Sequence, residues 1–374
     1  MKYDCIIIGG GASGLMLAAV LKVNNGLIVE GTHRLGTKML MSGGGRCNIT
    51  HDGSIKDFVD CYGRAGHVLR KCLYRHSNLE LIEWLNSSGI STVSENGRIF
   101  PASMKASDIV DFLIAKARKN GWEISYDNKV NCIAQKDGHW IVKGNADDNR
   151  HYMTDNVVIA TGGITYPKTG SDGSMFETLR KLGISIVEPR SVLAPIYVRD
   201  YPYADLSGVS VPKVTVTAFS SDAVNTCKGK AARMTGDVLF THNGFSGPVI
   251  LNISKYAEPG EIIRINYNCS LNELPRSFRR CLEDRARGSS GDIKTSRLKA
   301  LLEADDFIVE AIDRNGMVTS GGIDLNELNT ATMEFKRYPG LFAIGEAIDA
   351  DGITGGYNLQ MCYSTACAVA DNLQ

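Results

Sequence analysis

Residues 3–30 constrain this chain more than any other stretch. An apolar run, Cys5-Ile6-Ile7-Ile8, passes at once into Gly9-Gly10-Gly11-Ala12-Ser13-Gly14, then into a helix-length apolar segment and a second apolar run ending in Glu30. Short apolar runs without alternation suit strands covered on both faces, as in a parallel sheet. The segment therefore reads as strand, glycine turn, helix, strand. The spacing Gly9-x-Gly11-x-x-Gly14 lets the backbone approach a pyrophosphate at the positive end of the helix. Ala12 and Ser13 open that helix, and the Ser13 hydroxyl offers a further contact. Glu30, followed by Gly31, stands about twenty residues on, where a carboxylate accepts the ribose hydroxyls of a bound dinucleotide. A strand-end acid alone is more often simply solvated. Because NAD and FAD both carry ADP, the choice between them falls to other segments.

Three segments favour FAD. The loop Ser42-Gly43-Gly44-Gly45-Arg46-Cys47-Asn48 sets side-chain-free amides beside a cation, suited to a flavin ring or a phosphate, although a flexible loop has the same composition. Ala160-Thr161-Gly162-Gly163 ends an apolar strand with small residues, where open parallel sheets bind ligands; a tight strand exit reads alike. Near the other end, an apolar run leads to Gly345-Glu346 and then Gly352-Ile353-Thr354-Gly355-Gly356-Tyr357-Asn358-Leu359. Glu346 suits ribityl hydroxyls, and a helix starting near Asn358 aims its positive end at the flavin pyrimidine. A glycine-rich turn is the plainer alternative.

Periodicity between these motifs predicts helices over 68–86 and 106–120, the latter with Ser107 as N-cap and Gly121 as stop. Residues 122–160 read as strands of a β-meander. Beyond Pro189 the texture becomes short β-like runs separated by Pro and Gly, with a charged helical stretch over 274–303. Buried-strand texture returns at Leu341, before a small-residue helix over 358–370. The expected organisation is a cofactor-binding domain in two parts, 1–190 and 319–374, split by an inserted β-rich substrate or cap domain, 191–318.

Charge narrows the partners. The 41 basic side chains balance the 41 acidic ones, so no global field draws the chain to nucleic acid or anionic membrane, a local basic patch aside. A small-molecule substrate is expected, and nucleic acid is not. Ten cysteines without a C-x-x-C pair read as free thiols, and the four-residue apolar stretch Cys5–Ile8 is too short for a signal core, so the expected location is the cytoplasm. Asp349 and Asp351 lack companion ligands at a metal-binding spacing, and no metal is expected.

Catalytic candidates are few, because a flavin carries the redox chemistry itself. Cys47 lies in the glycine loop but reads more readily as a buried structural thiol. Tyr166 and Tyr357 adjoin glycine motifs and are candidate proton donors, with packing the commoner role. His242, in Phe240-Thr241-His242-Asn243-Gly244, either reaches substrate or caps a turn. No second G-x-G-x-x-G occurs, so NAD(P)H, if used, visits the flavin cleft transiently. Two other readings stay open, a nicotinamide-only dehydrogenase and a flavin- or nucleotide-binding module without turnover, such as a redox sensor or an RNA-associated flavoprotein.

Six stretches carry a family resemblance: GGGASG, GTKMLMSGGGRCNIT, GRIFPASMKASDIV, ATGGITYPKTGS, GDVLFTHNGFSGPVIL, and the pair TSGGIDLNELNTATME with LFAIGEAIDADGITGGYNLQ. With them the chain resembles the HI0933-like, or YhiN-like, bacterial FAD-dependent oxidoreductases, which include aminoacetone oxidases and bile-acid intermediate reductases. The resemblance implies an α/β fold: a Rossmann-type FAD/NAD(P)-binding domain with a β-meander, interrupted by a mostly-β, barrel-like insert with a short helical part. It further implies FAD contacts at Gly11, Ser13, Glu30, Lys38, Ser42, Gly43, Gly44, Thr161, Gly162, Gly345, Glu346, Asn358 and Leu359, with Val130 at the adenine. The segment after Ser171 and the region 270–307 are shorter than the family pattern.

Overall fold

The computed structural model describes residues 2–145, 151–219, 232–287 and 291–374. Five parallel strands form the centre of the first unit: β1 (Cys5–Ile8), β2 (Gly26–Val29), β3 (Trp122–Ser125), β4 (Val157–Ile159) and β5 (Leu341–Ala343). Their order is β3-β2-β1-β4-β5, extended beyond β5 by the antiparallel strands Glu334–Phe335 and Leu328–Asn329. Register follows the apolar runs, with Ile6 opposite both Leu27 and Val157, and Val157 opposite Leu341. Every residue of β1, β2, β4 and β5 is buried, which explains why none of these strands alternates in sequence.

Beside this sheet, α1 (Ala12–Val20) packs against both α2 (Ala106–Lys119) and α3 (Tyr357–Leu373). Buried Ala18, Ala19, Ala366 and Ala370 keep side chains small where α1 and α3 approach. A four-stranded sheet holds the β-meander, in the order Lys2–Tyr3, His151–Thr154, His139–Gly144, Val130–Lys136.

The chain divides into unit 1, Met1–Arg190 with Val318–Gln374, and unit 2, Ser191–Met317. Unit 2 is a closed six-stranded barrel in the order Ile196–Val198, Gly244–Ser246, Ala232–Phe240, Ser210–Phe219, Ile262–Asn266, Asp305–Ile312. Its core holds Tyr203, Phe240, Phe245, Tyr267, Phe278 and Phe307. Asp305 is buried in this core and accepts hydrogen bonds from Tyr203, from Tyr267 at 3.1 Å and from Arg285 at 2.9 and 3.1 Å. Its charge is thus compensated where water cannot reach it.

Several boundaries differ from expectation. The helix predicted over 68–86 is broken into Arg70–Arg75 and Asn78–Ser87, because Ser77 is extended and its hydroxyl accepts from the Glu80 N–H at 3.3 Å. The Ser77-x-x-Glu80 spacing is a helix-start signature inside the apolar pattern. Ser107 does not cap α2. Lys105 occupies that position, and Ser107 sits in the first turn with its hydroxyl donating to Asp108. Gly121 ends the helix at φ +89°, a left-handed conformation that suits glycine. The stretch 274–303 is two helices, Arg276–Ala286 and Thr295–Glu303.

Candidate cofactor site

The carboxyl ends of β1 and β4 meet the N-terminus of α1, and glycine is required there for two different reasons. A Cβ on Gly14 would lie 2.0 Å from the Gly9 carbonyl oxygen, so glycine lets the helix close on the turn. Gly11, the N-cap of α1, has open space over it instead: an added Cβ would meet nothing within 4 Å. No side chain caps this helix, so its first N–H groups remain available to a ligand.

Glu30 is buried, and the chain itself aims its carboxylate. Oε2 accepts from the Gly10 N–H at 2.7 Å, while Oε1 accepts from the Thr32 N–H at 2.8 Å and its hydroxyl at 2.7 Å. It borders a cavity of about 270 Å³ lined also by Gly9, Gly11, Gly31, Val130, Thr161 and Gly162. Ser171 lines the same cavity with a buried hydroxyl that has no hydrogen-bond partner among the described residues. An orphaned buried hydroxyl costs about 1–3 kcal/mol, so this wall is built for a polar guest. Cavity, helix terminus, carboxylate and orphan hydroxyl together fit the adenosine and pyrophosphate portion of a dinucleotide.

Both chain ends contribute to the next part of the site. Gly345 is left-handed at φ +62°, and a Cβ there would lie 2.6 Å from the side chain of Ser13. Lys38 Nζ donates to both Glu346 oxygens, at 2.9 and 2.7 Å, and to the Thr165 hydroxyl at 2.6 Å. Glu346 also accepts from the Thr319 N–H at 2.7 Å and the Thr165 hydroxyl at 3.1 Å. The carboxylate therefore fastens three separate segments, a role its spacing in sequence does not reveal.

The glycine loop and the C-terminal turn are clamped together. Gly43 and Gly44 are left-handed at φ +58° and +68°, with open space over Gly44. Asn48, with its amide turned to satisfy both groups, donates to the Thr50 carbonyl at 3.0 Å and accepts from the Gly356 N–H at 3.1 Å. Gly356 approaches so closely that a Cβ would lie 2.5 Å from the Thr50 carbonyl oxygen. Asn358 holds the turn from the other side, bonding the N–H and carbonyl of Gly352 at 2.8 and 3.0 Å. Leu359 is half-buried against the core, and the Ser42 hydroxyl donates to the Met39 carbonyl at 2.7 Å.

An aromatic cluster flanks this clamp. The His51 ring stacks on Tyr357 at 5.5 Å and 14°, Phe58 meets Tyr357 edge-on at 4.8 Å, and the Tyr62 hydroxyl donates to the Tyr357 carbonyl at 2.7 Å. Burial pushes the Tyr357 hydroxyl well above its ordinary value, and its hydrogen bond with Cys61 pushes in the same direction. Sequence reasoning missed His51, although it lies only three residues beyond Asn48.

The surroundings of the other candidates differ. Arg46 pairs with Glu95 at 3.0 Å and lies 4.6 Å over the Phe100 ring. Cys47 is wholly buried, and burial pushes its thiol up to about 11. Tyr166 is left-handed at φ +57°, with Lys38 Nζ 5.7 Å from its ring centre. His242 is exposed in unit 2, in the turn between Ala232–Phe240 and Gly244–Ser246. Among the described residues no His, Cys, Asp and Glu cluster is arranged to hold a metal, and no helix is long and apolar enough to cross a membrane.

Similar proteins fit this geometry. The chain is 30% identical to the ribosomal RNA dihydrouridine synthase of Escherichia coli, covering 100% of this chain and 98% of that protein. It is 26% identical to the 3-dehydro-bile acid delta(4,6)-reductase of Clostridium scindens, covering 96% of each. Among solved structures, the 3-ketosteroid delta1-dehydrogenase of Sterolibacterium denitrificans superposes with a TM-score of 0.55 at 11% identity, covering 100% of this chain and 99% of that one. E. coli quinol fumarate reductase FrdA gives 0.55 at 14% identity, covering 100% and 70%, and both likenesses concern the fold. Matched by the model of the HI0933-like protein Rossmann domain over residues 3–372, the chain belongs to the HI0933-like family.

Proposed function

We propose that this protein is an FAD-dependent oxidoreductase that saturates a ring carbon–carbon double bond, with uridine in RNA as the favoured substrate class. The convergence of Glu30, the open helix terminus at Gly11 and the orphan Ser171 hydroxyl on one cavity carries the cofactor assignment. Glu30 accepts the ribose hydroxyls, the first turn of α1 receives the pyrophosphate, and Val130 borders the adenine. Bound FAD supplies hydride exchange at its ring. The clamp formed by Asn48, Gly356 and Asn358 fixes the ring-binding loops, and the ion pair of Lys38 with Glu346 holds them in register.

Two relatives support the substrate class. The E. coli protein and its counterpart in Haemophilus influenzae, 29% identical over 98% of this chain, are both named ribosomal RNA dihydrouridine synthases. Dihydrouridine is uridine with two hydrogens added across a ring double bond, and the Clostridium relative's name also describes double-bond reduction. NAD(P)H is the proposed electron source: its hydride and one proton end on the substrate, leaving NAD(P)⁺. The Clostridium relative favours a second reading, an enone in a steroid ring.

The test begins with absorbance of the purified protein for flavin bands, then anaerobic bleaching by NADH or NADPH. Incubation with ribosomal RNA and mapping of dihydrouridine follows. No flavin after reconstitution sinks the cofactor assignment. Flavin reduction with transfer only to a steroid enone replaces the substrate class and keeps the enzyme class.

A further inference from the structure

Charge is unevenly distributed along unit 2 of this charge-neutral chain. Residues 276–299 of unit 2 contain eight Lys and Arg against three Asp and Glu, whereas the rest of 191–317 contains eight against twelve. The intervening residues 288–290, outside the described set, are Gly-Ser-Ser and carry no charge.

The first helix, Arg276–Ala286, buries Phe278, Leu282 and Ala286, leaving Arg276 and Arg280 exposed one turn apart. The second, Thr295–Glu303, buries no residue, and Leu298, Leu301 and Leu302 rest half-buried against the barrel core. Lys294, Arg297 and Lys299 are exposed on and beside it.

Partners for this charge are unevenly distributed. Arg285 is bound by buried Asp305, Arg287 pairs with Asp284 at 3.1 Å, and Lys299 stands 3.8 Å from Glu303. Among the described residues Arg276, Arg280, Lys294 and Arg297 have no ion-pair partner, and the unpaired acids in the stretch are Glu283 and Asp292. Charged helix faces are ordinarily just solvated, with acids and bases interspersed. Here unit 2 divides its bases evenly, eight on this stretch and eight outside it, but places only three of its fifteen acids on the stretch, which leaves the hairpin with a net positive charge.

We infer that this helical hairpin is a surface for the phosphate backbone of RNA, holding the substrate proposed above. The inference rests on that reading for the identity of the polyanion, and on charge complementarity for the surface. Arginine forks and lysine ammonium groups neutralise phosphates without reading sequence, so the hairpin anchors RNA and does not itself select a base.

The experiment uses the flavin-loaded full chain and a fluorescent ribosomal RNA fragment, followed by anisotropy at several salt concentrations. The variant carries Arg276→Ala, Arg280→Ala, Lys294→Ala and Arg297→Ala. A control carries Lys22→Ala, Arg118→Ala, Lys119→Ala and Lys181→Ala, the same charge loss on exposed residues of unit 1. Thermal melting and flavin absorbance verify that both remain folded. The hairpin variant is expected to lose RNA affinity by about tenfold to a hundredfold, and its slope of log K against log salt to fall by about 3, while the control stays within about twofold of wild type. With an RNA substrate, KM rises and kcat holds.

Equal losses in variant and control overturn the surface, as does a wild-type protein that fails to bind RNA. Polyglutamate that binds as tightly as an RNA fragment of equal charge, and with the same loss in the hairpin variant, overturns RNA as the occupant. Binding that depends on the hairpin without any dihydrouridine formed refutes the proposed reaction and leaves the surface standing. Dihydrouridine formed with unchanged KM by the hairpin variant refutes only the surface.

Discussion

At the carboxyl edge of its parallel sheet, unit 1 places glycine and threonine and leaves a cavity, whereas unit 2 fills its barrel core with Tyr203, Phe240, Phe245, Tyr267, Phe278 and Phe307. Buried carboxylates mirror the contrast. Asp305 is consumed by two tyrosines and an arginine, while Glu30 is aimed from behind by two backbone N–H groups and a hydroxyl at the edge of open space. The same side-chain chemistry is a structural tie in one unit and, in the function proposed above, a docking group in the other. The proposed chemistry therefore draws on the cavity of unit 1, and the proposed recognition on the outer surface of unit 2.

The largest effect that tests this contrast is Phe240→Ala. Removing a fully buried ring from the barrel costs about 3–5 kcal/mol, and differential scanning calorimetry should show a lowered transition while flavin absorbance persists. Loss of flavin from that variant would mean the barrel supports the cofactor site after all. Next comes Lys38→Met, which leaves Glu346 without its cation in a largely buried network, at a cost of about 3 kcal/mol. Lower thermal stability together with weaker FAD retention is expected on dialysis, and unchanged retention would reduce the pair to a structural tie like that of Asp305.

Glu30→Gln sharpens the other side of the comparison. The amide keeps the shape but gives up charge-assisted bonds to the ribose, worth about 1.5–3 kcal/mol, so FAD affinity should fall roughly tenfold to a hundredfold in a fluorescence titration, beside the lower melting temperature that weaker bonds to Gly10 and Thr32 bring. A change in melting alone would contradict the docking role.

Cys47 gives the smallest and most pH-specific effect. Burial raises its thiol from 9.0 to about 11 in the folded protein. The folded state therefore keeps its proton where the unfolded chain releases it. The stability it contributes is intact below about pH 9 and is lost as pH rises toward about 11, on the order of 2 kcal/mol. Urea titrations of Cys47→Ala and wild type across that range should converge as pH rises, and parallel curves would rule the thiol out as the source.

The parallel-sheet unit was legible because a strand buried on both faces must be apolar at every position, and Cys5–Ile8, Val157–Ile159 and Leu341–Ala343 are. The Gly11 and Gly14 requirements were legible too, since a turn opening onto a helix admits few alternatives. The fastening of Glu346 by Lys38 was not, because it joins residues 308 positions apart, and only the completed sheet brings them together. Arg46 is a second case. Its place in the glycine loop suggests a ligand contact, and its ion pair with Glu95, on a strand 49 residues later, lies outside what local sequence displays. The break at Ser77 was readable from the Ser-x-x-Glu spacing but was hidden beneath a stronger apolar period.

The order of the sheet has a consequence for how the protein is made. Strand β4 is paired on one side by β1 and on the other by β5, which lies in sequence beyond all of unit 2. During synthesis, about 180 residues emerge between the two, which takes roughly 10–40 s at ordinary elongation rates. For that interval Val157, Val158 and Ile159 present an unpaired, wholly apolar edge, the kind of edge that recruits other nascent chains. A chain cut short within unit 2 keeps the glycine fingerprint and Glu30 but never acquires Gly345, Glu346 or α3. With the cofactor site proposed above, flavin retention would report that translation reached the end of the sheet, and overexpression without chaperone capacity should yield aggregates enriched in chains stalled before Leu341.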